Sequence, residues 1–259
     1  MIRFGPAGCG GVDVFVKNLE SFHKSGLGAC EVPFTYQIWM NKSQAEKIAA
    51  EIKEKKLDIF LSIHAPYFVN LNSDEKRKVA ATKARILKCC EIGHYLGAKR
   101  VVFHPGYYGK MSPEETYKNV KGTIEEMMDV VKKNKWNIEL CPEVMGKVNV
   151  FGSIEEIARL ARETGCGFCI DFAHSLARYK EYPFELIKKS FSQKKWHCHF
   201  SGIVYGDKGE RNHKKTEKED WKKVLENIPK DKDIIIINES PSPVEDSLEG
   251  LNLWKKISY

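Results

Sequence analysis

Gly167-Phe168-Cys169-Ile170-Asp171-Phe172-Ala173-His174 is the stretch on which the fold turns. An apolar run ends in an acid, and a histidine follows three residues later. Read alone, this is either a buried strand whose end carries two metal-capable side chains, or a strand-end aspartate capping the next turn beside a solvent-facing histidine. The same event recurs along the chain. Apolar runs also end at His64, His104, Glu143, His199 and Glu239.

Each apolar run is followed by an amphipathic segment. The pattern predicts strands at 2–5, 29–33, 58–64, 100–104, 137–143, 167–171, 196–200 and 233–239. It predicts helices at 12–23, 43–55, 73–96, 113–133, 153–164, 183–190, 217–227 and 244–257. Two helix starts are signed clearly. Ser112-Pro113-Glu114-Glu115 sets a capping serine before a proline and two acids, and Ser153-Ile154-Glu155-Glu156 is a capping box. The runs are continuous rather than alternating, as buried parallel strands are. Strand–helix units repeating about every 30 residues, with no linker between them, predict a (β/α)8 TIM barrel spanning 1–259 as one domain. A doubly wound sheet fits less well, because Gly8-Cys9-Gly10-Gly11 after the first strand does not form a GxGxxG phosphate loop.

Bulk properties narrow the class. The chain has 259 residues and an apolar fraction of 42%. No apolar run approaches the roughly 18 residues of a membrane span. The first residues lack a basic and apolar leader, so a cytoplasmic protein is expected. Net charge is +7, which suits a polyanionic partner or simply a lysine-rich surface. The 8 cysteines read as reduced thiols, and Cys166-Gly167-Phe168-Cys169 has no second pair to complete a metal site.

In a barrel of this kind, function sits at the C-terminal ends of the strands. Those ends carry His64, His104, Glu143, Asp171 with His174, His199 and Glu239, and the loop after strand seven adds His213. Burying so many imidazoles and carboxylates unpaired would be costly, and shared divalent ions remove the cost. Mixed nitrogen and carboxylate donors suit Zn²⁺, with Mn²⁺ as an alternative. The donors exceed one tetrahedral site, so two or three ions are expected, with Glu143 able to bridge two. His197 lies one layer deeper on the face of His199. His23 and His94 fall on helices. Several ions suit hydrolysis at phosphorus, whereas a single ion suits proton movement on a sugar.

On these residues the chain resembles the endonuclease IV family of apurinic/apyrimidinic endonucleases, which are trinuclear zinc barrels of the xylose-isomerase-like group. The resemblance covers nearly the whole chain. It is carried by His64-Ala-Pro-Tyr67 with Asn70-Leu71, by Phe103-His104-Pro105-Gly106, and by Glu143, Asp171-Phe-Ala-His174, His199 and Glu239. It implies that His64, His104 and Glu143 hold a first ion, and that Glu143, Asp171, His199 and Glu239 hold a second. His174 and His213 would hold a third. It further implies cleavage of DNA on the 5′ side of abasic sites, with Glu143 beside the attacking hydroxide and Tyr67 packing into DNA. Gln37 and Trp39 fall where the family's DNA-penetrating loop lies, although the arginine of that loop is missing. Two other departures stand out. Gly5-Pro6-Ala7 replaces the usual Gly-Ala-His. Arg211 stands where the family has an aspartate ligand two residues before the last histidine, and Glu210 reaches that place only if the chain bends. The expected protein is thus a monomeric endonuclease acting on DNA with abasic sites. The alternatives are a one-metal sugar-phosphate isomerase or epimerase using Glu143, Asp171, His199 and Glu239, and a non-catalytic DNA-binding barrel.

Overall fold

The computed structural model describes residues 1–258. Its barrel strands, in chain order, are Ile2–Pro6, Ala29–Pro33, Phe60–His64, Arg100–Phe103, Glu139–Pro142, Ile170–Asp171, Lys195–Phe200 and Asp233–Asn238. All neighbouring pairs are parallel. The strands form two four-stranded sheets, joined at the seams by the bridges Ala7–Glu31 and Glu143–Cys169. The expected (β/α)8 barrel is therefore the fold. At the first seam the backbones come very close. A Cβ at Gly5 would lie 1.8 Å from the carbonyl oxygen of Ala29, so only glycine fits there.

Helices cover the outside. Ser112 and Ser153 cap the helices Pro113–Lys133 and Ile154–Thr164 through reciprocal bonds with Glu115 and Glu156. Asn41 and Gln44 form a third capping box ahead of Lys42–Glu54. Between helices and strands lies one large apolar core. Trp221 anchors its closing edge: the ring is fully buried and meets Phe4 and Phe200 edge-on at 5.8 and 4.8 Å, with Gly250 leaving room for it. No helix among the described residues is long and apolar enough to cross a membrane.

The structure departs from the sequence-based boundaries in four informative places. The first helical segment opens with a 3-10 turn at Val12–Val14 before the α-helix Phe15–Lys24. The third helix starts at Lys76 rather than Ser73, whose hydroxyl instead accepts from the Glu75 amide. The sixth strand shrinks to Ile170–Asp171, and the helix Phe172–Tyr179 follows with no loop. The segment after strand seven, expected as a loop, is an antiparallel hairpin of Gly202–Gly206 with Gly209–Lys214.

Candidate metal centre

Parallel strands bring all their C-terminal ends to one face. There the side chains expected from the sequence converge on Glu143, which is fully buried. Its Oε2 lies 3.2 Å from His64 Nε2 and 3.3 Å from His104 Nε2. Its Oε1 lies 3.2 Å from His174 Nδ1 and 3.4 Å from His199 Nδ1. Glu239 Oε2 is 3.4 Å from the same His199 nitrogen, and Asp171 Oδ2 is 3.4 Å from His174 Nδ1. Four donor sets have atoms that all lie within 4.8 Å of one another, and two of them contain the Glu143 carboxylate: His64, His104 and Glu143, and Glu143, Asp171, His199 and Glu239; the others are His64, His199 and Glu239, and the deeper Cys169, His197 and His199.

Asp171 does two jobs. Its Oδ1 accepts the amide of His174 at 2.7 Å and so starts the helix Phe172–Tyr179. Its Oδ2 faces the centre. That cap fixes His174 over the site, where it is buried rather than solvent-facing. The two sequence readings of this stretch are thus both partly right.

The imidazoles are aimed by what holds their other nitrogen, as ligating histidines are. His64 Nδ1 lies 2.7 Å from the Ala65 carbonyl, whereas in His174 the nitrogen that faces Glu143, Nδ1, also lies 3.1 Å from the Val144 carbonyl. His199 Nε2 faces Glu31 Oε1 at 3.0 Å. Glu31 is the residue that sequence reasoning missed. It sits in the middle of the second strand, fully buried, and also bonds Ser62 at 2.8 Å and His197 at 3.2 Å. Its signal was a carboxylate inside an apolar run. His197 does lie one layer deeper, beside the buried thiol of Cys169.

Charge in the site is heavily shared. Burial disfavours the charged ring of His64, but the Glu143 carboxylate outweighs it and raises the pKa to about 9. Burial lifts Asp171 to about 6, against the pull of His174. Burial would also raise Glu239, yet His199 draws it down to about 2. His197 falls to about 4 because burial wins over its contact with Glu31.

The chain's own orphaned atoms fit a metal. Glu143 Oε1, Asp171 Oδ2, His199 Nδ1 and Glu210 Oε2 are buried without a hydrogen-bond partner. Glu143 Oε1 and His199 Nδ1 face each other at 3.4 Å, while Asp171 Oδ2 and Glu210 Oε2 face the two nitrogens of His174 at 3.4 and 3.2 Å, all out of hydrogen-bond alignment. Such an arrangement suits donors aimed at common points between them.

The remaining candidates are spread more widely. His213 and Glu210 line the same cavity of about 390 Å³, with Arg211 and Lys147 at its mouth. Tyr67 stacks on His104 at 5.2 Å and forms one wall. Gln37 and Trp39 do not line this cavity. The Trp39 indole donates to the Pro33 carbonyl at 3.0 Å and packs edge-on against Phe34, which makes it an inward anchor. The outward aromatics of these loops are Tyr36, Phe68 and Tyr107.

A family model described as a xylose isomerase-like TIM barrel matches residues 8–257. An uncharacterized protein of Methanocaldococcus jannaschii is 37% identical over 82% of this chain and 81% of its own. A probable endonuclease 4 of Mycoplasmopsis agalactiae is 27% identical, but over only 49% of this chain and 47% of that one. Among solved structures, endonuclease IV from Thermus thermophilus superposes with a TM-score of 0.69 at 20% identity, covering 98% of this chain and 97% of that one. A D-tagatose 3-epimerase-like protein does so with a TM-score of 0.72 at 20% identity and the same coverage. At that identity both likenesses speak for the fold alone.

Proposed function

The chain belongs to the xylose isomerase-like TIM-barrel family, and from that premise we propose that it is a metal-dependent phosphodiesterase that nicks DNA at abasic sites. One observation carries this reading: two donor sets share the Glu143 carboxylate. Proton movement on a sugar needs one such set, whereas displacement at phosphorus uses neighbouring ions. Zn²⁺ fits the donors, and Mn²⁺ is the alternative. Bound there, such ions would supply Lewis-acid stabilisation of charge building at phosphorus.

The chain's own groups would do the rest. Lys147 and Arg211 at the mouth would draw in the phosphate. A cavity of about 390 Å³ has room for one extruded sugar-phosphate but not for a stacked base pair, which fits a flipped nucleotide. Tyr67 would hold the sugar against His104. Tyr107 lines the cavity, and Phe68 lines the adjoining groove with Arg77, Lys78 and Arg85, with the exposed Tyr36 ring 6.3 Å from that of Phe68. Exposed aromatics beside basic residues suit bases and phosphates. The similarity to a protein named probable endonuclease 4 supports the same reading.

The test is a duplex carrying one abasic site, incubated with and without chelator. Metal-dependent nicking on the 5′ side of the lesion is expected. An intact duplex in added Zn²⁺ and Mn²⁺ would end this proposal. A second reading keeps the set of Glu143, Asp171, His199 and Glu239 as a one-ion epimerase centre, favoured by the fact that these four donors suffice for one ion. It predicts ketose epimerisation and one ion per chain.

A further inference from the structure

Side chains alternate along a strand, so the residues two places before Asp171 and His199 also point into the barrel, one layer below its mouth. They are Cys169 and His197. The Cys169 sulfur and one nitrogen each from His197 and His199 lie within 4.8 Å of one another, and all three side chains are buried.

Glu31 enters the same layer from the second strand. Its Oε2 is 3.2 Å from His197 Nε2 and its Oε1 is 3.0 Å from His199 Nε2. A tetrahedral zinc ion with bonds of about 2.0–2.3 Å spaces neighbouring donors roughly 3.3–3.7 Å apart, so these pairs already stand close to that spacing. Glu31 Oε1, His197 Nδ1 and both nitrogens of His199 are buried without a hydrogen-bond partner. Polar atoms left so deep are costly unless something pairs them. His199 can serve two layers, because its Nδ1 faces Glu143 and Glu239 while its Nε2 faces Glu31.

We propose that Cys169, His197 and His199 hold a divalent ion of the zinc class inside the barrel, with the Glu31 carboxylate offered to its fourth position. Binding would release the Cys169 thiol proton and, with both nitrogens of His199 on ions, the last ring proton of that imidazole. A thiolate with imidazoles is a donor set of zinc, and four protein donors leave no place for substrate, so the ion is structural. It ties the second, sixth and seventh strands together across the lumen. The sixth has most to gain: it pairs with strand seven at two positions and is joined to strand five by the isolated bridge Glu143–Cys169.

Cobalt(II) reports such an ion, because a thiolate ligand adds a strong charge-transfer band in the near ultraviolet that nitrogen and oxygen donors do not give. The whole chain is produced in cobalt-supplemented medium, and its spectrum and metal content are recorded. Wild type should show the band. Cys169→Ser and His197→Gln should lose it, together with about one ion per chain, with circular dichroism checking their fold. Cys141→Ala, which removes a neighbouring sulfur of the same apolar cluster, should keep both. Wild type that carries cobalt without the band would overturn the proposal. So would wild type free of metal, or a band that survives Cys169→Ser. Should the Cys169 variant fail to fold, the zinc-edge absorption spectrum of the wild-type chain decides: a sulfur neighbour at about 2.3 Å is required, and nitrogen and oxygen neighbours alone would overturn the proposal. All of this is read without DNA. A chain that shows the band but leaves an abasic duplex intact keeps this ion and loses only the phosphodiesterase reading.

Discussion

At the residue scale the centre depends on groups that never face the cavity. Glu31 Oε1 lies 3.0 Å from the far nitrogen of His199 as a charge contact, and its other oxygen is bonded to Ser62 and His197. Glu31→Gln keeps the shape but weakens the acceptor. It should lower zinc affinity about 10- to 100-fold, read by competition with a chromophoric chelator, and unchanged affinity would show that His199 needs no such support. His104→Ala should keep the fold and slow nicking of an abasic duplex by orders of magnitude, as loss of a charge-stabilising group does. Activity equal to wild type would exclude His104 from the reaction. The strand-end residues were legible because each closes an apolar run with a group that packing alone would not choose. Glu31 was not, because in Ala29-Cys30-Glu31-Val32-Pro33 the carboxylate lies mid-strand rather than at a strand end, and only a closed barrel brings it opposite His197 and His199.

At the scale of elements, the loops are locked to each other before anything binds. Asn70 Oδ1 accepts the amides of Asn72 and Tyr107 at 3.0 and 3.3 Å, and Asn72 reaches on to the Tyr107 and Tyr108 carbonyls. Gly106, with φ at +135°, lets the backbone pass. A Cβ there would lie 2.3 Å from Asn70 Oδ1. Gly106→Ala should therefore cost roughly 1–3 kcal/mol, measured by urea unfolding, and a neutral result would contradict the clamp. This explains Asn70-Leu71 and His104-Pro105-Gly106 as one structural unit that sets His104. Helix starts with serine caps were readable because capping chemistry is local. The helix Phe172–Tyr179 was not, since its cap is also the last strand residue. It matters, because Arg178 on it donates to the Lys147 carbonyl at 2.6 Å and so holds the loop that frames Glu210. The hairpin hid behind a charged, non-alternating run whose spacing makes sense only once the register shift between Val204 and Tyr205 is known.

For the whole molecule, the barrel was legible from periodicity alone, since eight strand–helix units leave few other closures. Two consequences belong to this scale. Ions that bind only the folded chain add stability by mass action. Removing them with a chelator should lower the thermal midpoint by roughly 5–10 °C and restoring zinc should recover it. An unchanged midpoint would mean that the site is not metal-loaded. If the groove beside the mouth meets DNA, Arg77→Ala and Lys78→Ala should each reduce the slope of log affinity against log salt by about 1, and an unaltered slope would move the DNA elsewhere. The shared metal centre on Glu143 is read out best by an anomalous difference map at the zinc edge from crystals grown with zinc. Peaks on both sides of the Glu143 carboxylate are predicted, one against His64 and His104 and one against Asp171, His199 and Glu239. A map with no peak touching Glu143 would contradict it.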